Sequence, residues 1–248
     1  METIIKQTRE VGTSAGVLLP RHWLNKEVVV TLYQPSIKEI SAEAVSKLVW
    51  LGLNADIIGL YLYGSYARGE NEPKSDIDLL AITANTNRLV KEGNYEILLV
   101  SKKNLLKNLP TSIAYQSAIM EAKPIINKEF IENARKNMPR FNYKKALREI
   151  KRIIRINKDA VETCRSQGMK IPDGIIYSLV LRLREIYLIR IIIRNKSFSK
   201  KDFLEIVGRK AYSAYERIKN DERDIGIPTD SALNLLKISE KWLKELKG

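Results

Sequence analysis

Asp76-Ile77-Asp78 is the part of this 248-residue sequence best suited to chemistry. Side chains alternate faces along a strand, so Asp76 and Asp78 point the same way while Ile77 goes into the core. Two carboxylates side by side repel, and each raises the pKa of the other. A divalent cation resolves that conflict, and a pair of cations can stabilise the charge on a polyphosphate. Ten residues separate Asp76 from Gly64-Ser65, which stands at the end of the apolar run Ile57 to Tyr63 and ahead of Tyr66-Ala67-Arg68. A strand that ends at a helix start offers free backbone N–H groups, where phosphate binds. Gly64 allows close backbone approach, and the Ser65 hydroxyl adds a donor. Other chemistries are narrowed by one histidine, His22, and one cysteine, Cys164. They cannot form a disulfide within the chain or a Cys/His zinc site, and His22, in a turn, has no evident catalytic partner. A metal must therefore be held by carboxylates, which favours Mg2+ or Mn2+.

The elements expected to position these residues form a mixed sheet with flanking helices. Ser41 is expected to cap a helix through Leu53. Strands are expected at Ile57–Tyr63, Asp76–Thr83, Tyr95–Ser101 and Ile119–Ile126, with a short helix at Lys102–Leu109. Before this core, Ile4–Thr8, Val17–Pro20 and Glu27–Leu32 read as strands too few to bury a core of their own. From about Asn142 the pattern is helical. Ala146, Leu147, Ile150, Ile153, Ile154, Val161 and Cys164 recur at helical spacing. Further helices are expected at Asp173–Asn195, from a Ser199 cap to about Asp221, and from Pro228-Thr229 to near Leu246. A four-helix bundle accommodates them.

Charge divides the chain. Residues 140–248 hold 26 Lys/Arg against 14 Asp/Glu, while residues 1–139 hold 17 against 15. Nearly all of the +14 formal charge therefore sits in the helical part, which suits either a polyanionic partner or a thermophile-like surface rich in Lys, Arg and Glu. Lys144, Arg148, Lys151, Arg155 and Lys158 share one face of the first long helix, suited either to a phosphate backbone or to solvent. Arg182, Arg184 and Arg190 interrupt the apolar second helix and need partners: Glu185 is one candidate, a nucleotide or its acceptor another. No unbroken apolar run approaches the roughly 18 residues of a membrane span. Met1-Glu2-Thr3 opens without a basic, then apolar, leader, so a cytoplasmic location is expected.

Gly64-Ser65, ten residues and Asp76-x-Asp78 resemble the signature of minimal nucleotidyltransferases of the DNA-polymerase-β superfamily, over roughly Ile57 to Ile126. The resemblance implies transfer of a nucleoside monophosphate from an NTP, with ATP expected, to an acceptor hydroxyl, using two Mg2+ ions. It implies a third carboxylate on the next strand, where Glu96 stands although the family more often has Asp. Asp76, Asp78 and Glu96 are then the catalytic and metal-binding residues, with the third also helping to deprotonate the acceptor. Gly64, Ser65 and Arg68 hold the nucleotide, and Lys74 and Ser75 border it. An ion pair of Arg68 with Glu70 or Glu72 is the alternative for that side chain.

Val11-Gly12-Thr13-Ser14-Ala15-Gly16-Val17-Leu18-Leu19-Pro20, with Trp23 and the strand after it, resembles the AbrB-like swapped hairpin of prokaryotic regulators and antitoxins. That resemblance implies a homodimer through residues 1–35 and raises the possibility of DNA binding. The helical part loosely resembles the bundles that follow minimal nucleotidyltransferases, including HEPN-like ones. The Arg-x4-His motif of HEPN ribonucleases is absent, since no histidine follows His22.

The sequence thus predicts an α+β protein. Residues 1–35 form a dimerising β segment, 36–139 a polymerase-β-type nucleotidyltransferase core, and 140–248 a basic helical bundle. The expected activity is NTP-dependent nucleotidyl transfer to a nucleic acid or protein acceptor. The alternative is a DNA-binding regulator or antitoxin whose nucleotidyltransferase fold only binds nucleotide.

Overall fold

A computed structural model describes residues 2–31, 33–72 and 75–246. Its centre is a five-stranded sheet: β3 (Ile57–Tyr63), β4 (Ile77–Thr83), β5 (Arg88–Glu92), β6 (Tyr95–Ser101) and β7 (Lys123–Ile126), in the order β5-β6-β4-β3-β7. β4 and β6 run parallel and every other pair is antiparallel. Both faces are covered, which is why the central strands are apolar almost throughout. On one face α1 (Ile37–Trp50) packs Ile40, Ala44 and Leu48 against Leu60, Leu62, Leu79 and Ile97. On the other, α3 (Lys102–Asn108), α4 (Ile113–Glu121) and α5 (Lys128–Lys136) pack Leu105, Ile119 and Ile131 against Tyr61, Leu80 and Ile82.

Several expectations change here. α1 starts at Ile37 rather than after Ser41, because Ser36 and Glu39 form a reciprocal capping box. The strand expected over Ile119–Ile126 is the end of α4 followed by β7, since Ala122 leaves the helix and Pro124 follows. β5 and α5 were not foreseen.

The helical part consists of α6 (Lys144–Ser166), α7 (Asp173–Ile192), α8 (Lys200–Val207), α9 (Arg209–Lys219) and α10 (Thr229–Glu245). α7 carries apolar residues round most of its circumference because it is central: it packs against α6, α9 and α10 and also against α4 of the sheet domain. Ser199 caps α8 as expected, but the helix stops at Gly208, whose φ of 79° and ψ of 146° are not helical, and α9 starts anew. Asp173, fully buried, accepts two bonds from Arg217 at 2.7 and 2.8 Å and one from the Ile225 N–H, joining α7 to α9. Among the described residues no helix is long and apolar enough to cross a membrane.

The N-terminal segment departs most from expectation. Its strands are β1 (Arg9–Val11) and β2 (Ser14–Gly16), paired with each other. Residues 4–8, 17–20 and 27–31 form no strands, and Leu32 lies outside the described residues. Strand backbone needs a partner, and in one chain these stretches have none. Val29 is 92% exposed and Leu24 72%. His22 and Trp23 sit in a single 3-10 turn, both within hydrogen-bond reach of the Glu2 carboxylate.

Candidate active site

The sheet places Asp78 at the mouth of its parallel pair. Ile77 is fully buried on the α1 side, so Asp78 faces the other way, as alternation requires. In register Asp78 lies opposite Glu96 on β6 and opposite Tyr63 on β3. Asp76 immediately precedes β4 and lines the same cleft. Burial first, then the charges of Glu96 and Asp76, push the Asp78 carboxyl up to about 6 from its ordinary 3.8, against the opposing pull of Arg184 and Arg68. The Tyr63 hydroxyl is raised as well, by burial and by Asp78, Glu96 and Glu121.

Chain geometry explains why this crowding is possible. β3 ends at Tyr63, and Gly64 takes a φ of 74° to open the short helix α2 (Gly64–Arg68). A Cβ on Gly64 would lie 2.1 Å from Asp78 Oδ2 and 3.0 Å from its Cγ. Glycine here therefore makes room for the Asp78 carboxylate as much as for any phosphate. α2 ends at Gly69, and Glu72 and Ser75 close the next turn through a Glu72 N–H to Ser75 Oγ bond of 2.8 Å. Lys74 lies outside the described residues.

Two expected residues already have partners. Arg68 donates to Glu70 at 2.7 Å and is paired with Glu121, so of the two acids weighed for it Glu70 holds it, not Glu72. Glu96 is paired with Lys91 at 2.8 Å. Among the described residues no three His, Cys, Asp or Glu side chains are drawn together closely enough to hold a metal as they stand. The fit of this site to divalent cations rests instead on its donor chemistry: oxygen ligands only, with Asp78 crowded by the charges of Glu96 and Asp76.

The opposite wall comes from the bundle. A cleft of about 330 Å3 is lined by Gly64, Ser65, Arg68, Asp76 and Asp78 from the sheet domain. Facing them are Arg184 of α7, Lys200 of α8, and Tyr212, Tyr215 and Lys219 of α9. Arg184 forms no ion pair among the described residues, and its guanidinium lies 5.5 Å from the centroid of Phe198. Arg68 lies 4.8 Å from the same ring. Arg182 and Arg190 are instead paired with Glu185 and Glu245, so of the three helix arginines only Arg184 reaches the cleft. The Lys200 backbone N–H donates to Glu70 at 2.9 Å and its ammonium pairs with Glu72. These contacts fasten the bundle to the turn after α2. Sequence reasoning missed Lys200, Tyr212, Tyr215 and Lys219. Only Lys200 had a signal, through its position after the Ser199 cap.

Residues 42–150 match the family model described as nucleotidyltransferase domain. No curated protein matches significantly. Among solved structures, one similar chain is a nucleotidyltransferase-like protein from Exiguobacterium sibiricum, 12% identical, with a TM-score of 0.35 over 83% of this chain and 75% of that one. Another is a spectinomycin adenyltransferase from Enterococcus faecialis, solved with ATP and spectinomycin, 12% identical, with a TM-score of 0.44 over 83% of this chain and 98% of that one.

Proposed function

We propose, from the premise that this chain carries a nucleotidyltransferase domain of the polymerase-β superfamily, that it transfers a nucleoside monophosphate from an NTP to an acceptor hydroxyl on a nucleic acid or a protein. The observation that carries the reading is the crowded carboxylate site. Asp78 stands in register with Glu96, beside Asp76, and faces the guanidinium of Arg184, unpaired among the described residues, across one cleft. Such a site has acid on one side for cations and base on the other for phosphates.

Gly64 and Ser65 hold the triphosphate from the sheet side, with Arg184 and Lys200 opposite. Arg68, neutralised by Glu70 and Glu121, mainly shapes the wall. Asp76, Asp78 and Glu96 would hold two divalent cations, Mg2+ or Mn2+, which when bound supply charge neutralisation at the phosphates and polarise the attacking hydroxyl. Glu96 must release Lys91 to take part, and it is the carboxylate that accepts the acceptor proton. The acceptor oxygen bonds to the α-phosphorus as the bond to the bridging oxygen breaks, and pyrophosphate leaves in line. The charge of the helical part favours a nucleic acid acceptor.

Around this core, the exposed apolar side chains of residues 1–35 support a homodimer, which light scattering on a chain starting at Ser36 would reduce to a monomer. A cytoplasmic setting completes the reading, and fractionation of cells would test it.

The decisive experiment uses NTPs labelled at the α- or the γ-phosphate, with Mg2+ and with RNA, DNA or cell protein offered as acceptor. Label from the α position should enter one acceptor class and be lost in Asp78→Asn. Transfer of the γ label, or no transfer to any acceptor by the unaltered protein, would defeat the proposal.

A further inference from the structure

A second cavity, larger than the cleft just described, adjoins it. A space of about 790 Å3 lies where α4 and the end of α5 meet the end of α7. That volume is typical of a small-molecule site. Its apolar wall includes Met120, Met138, Phe141, Ile191 and Phe198. Its rim carries Lys136, Arg140 and Lys196, none of which forms an ion pair among the described residues. Arg135, also lining it, is occupied by the carbonyls of Ile119 and Ala122 at the end of α4. The one carboxylate in the lining, Glu121, is already engaged by Arg68 and by the Ser117 hydroxyl at 3.1 Å.

The wall between this cavity and the cleft is thin. Arg68 lines the cleft and Glu121 the cavity, and the two are bonded to each other. Phe198 lines both. The cavity adjoins the cleft at Arg68, which stands on the same short helix, α2, as Gly64 and Ser65. On the functional reading above, on which this step rests, that helix marks the pyrophosphate end. In-line transfer puts the acceptor opposite the leaving group, so this cavity is not where an acceptor hydroxyl would sit.

We propose that the cavity is a second ligand site, taking a small anion with an apolar body, and that it is coupled to the nucleotide cleft through Phe198 and the Arg68–Glu121 pair. The unpaired cations at the rim select the charge, and the methionine and aromatic wall selects the body. Occupancy presses on Phe198 and Glu121 and so alters affinity for nucleotide, and linkage makes the effect reciprocal.

Anilinonaphthalene sulfonate, an aromatic anion, is a suitable probe for the full-length protein. Fluorescence titration should show one saturable site whose affinity falls about tenfold when Lys136, Arg140 and Lys196 are all replaced by Gln, three exposed positions whose change leaves the fold intact. Replacing Arg148 and Arg155, equally exposed cations on α6, should leave the affinity unaltered. Saturating ATP with Mg2+ should change probe affinity severalfold without displacing the probe, and Glu121→Gln should abolish that change. Absence of a saturable site, equal affinity in the triple variant, or competitive displacement by ATP would each overturn the proposal. A protein that bound the probe as described but transferred no nucleotide would defeat the functional reading alone.

Discussion

Replacing Asp78 by Asn should stabilise the protein while abolishing transfer. The carboxyl of Asp78 is pushed from 3.8 up to about 6 by burial and by Glu96 and Asp76. Below the unfolded value the group is neutral in both states and costs nothing. As pH rises through about 6 the folded state is forced to carry a charge that the unfolded chain carries freely, and stability is lost. The full difference corresponds to about 3 kcal/mol. The side chain keeps some contact with solvent, so about 1–2 kcal/mol is the working figure. At about 2–4 °C per kcal/mol for a chain of this size, Asp78→Asn should melt about 2–8 °C above the unaltered protein at pH 8 in chelator. The gap should vanish near pH 4, because Asn and protonated Asp are alike in charge and size. Adding Mg2+ should raise the melting temperature of the unaltered protein by mass action and leave the variant unmoved. Calorimetry across this pH range reads all three effects. A variant that melts at or below the unaltered protein at pH 8, or a gap that persists at pH 4, would refute the argument that Asp78 is held against its electrostatic preference.

Arg184→Gln should raise the KM for NTP about tenfold, as expected for a lost charge-assisted contact of about 1.4 kcal/mol. Because Arg184 lowers the Asp78 carboxyl, the acidic limb of the pH–rate profile should also move upward; an unchanged KM and profile would remove Arg184 from the site. Gly64→Ala should lower kcat by about 100-fold or more through displacement of Asp78, whereas Gly69→Ala, with a similar φ of 73° but open space for a Cβ, should cost about 1 kcal/mol of stability and retain activity. Asp173→Ala should destabilise the bundle by about 3 kcal/mol in denaturant titration, since it leaves Arg217 without its partner. Arg217 also holds the Asp173 carboxyl below the ordinary range, so the stability Asp173 contributes is present at neutral pH and lost as pH falls through its folded value; that acid sensitivity should be absent from the variant. Replacing Lys144, Arg148 and Arg155 by Gln should flatten the salt dependence of nucleic acid binding by about two units of log–log slope, and an unaltered slope would make the stripe a solvated face.

What could be read from the sequence was what local rules control. The Gly64-Ser65 turn, the same-face Asp pair and the strands β3, β4 and β6 follow from glycine chemistry, period-two alternation and apolar runs. The start of α1 is encoded in Ser36-Ile37-Lys38-Glu39, a capping box that the expectation of a Ser41 cap passed over. β5 could not be recognised: Arg88-Leu89-Val90-Lys91-Glu92 is an edge strand with Leu89 nearly half exposed, so it carries little apolar signal. The apolar stretch around Ile119–Ile126 read as one strand because a buried helix end and a short strand have the same composition. The basic face of α6 was correctly placed as a face, but Lys158 is held by Glu240 of α10 at 2.8 Å, a pairing across 82 positions that no periodicity reveals.

The far wall of the cleft was the largest omission, and its origin bears on function. The matched family stretch ends at residue 150, inside α6, yet Arg184, Lys200, Tyr212 and Lys219 all lie beyond it. The sheet domain supplies the carboxylates and the Gly-Ser turn. Among the described residues, the bundle supplies Arg184, Lys200 and Lys219 and the aromatic side chains facing them. Glu70 and Glu72, on the turn that follows α2, are bonded to Lys200 at the start of α8, so the two walls are fixed to each other through this turn. On the proposed function, the chemistry would reside in residues 42–150, while the shape and charge of what enters the cleft would be set by residues 180–220. Substitutions in α7 to α9 should change which nucleotide or acceptor is taken, and substitutions at Asp76 and Asp78 whether any is.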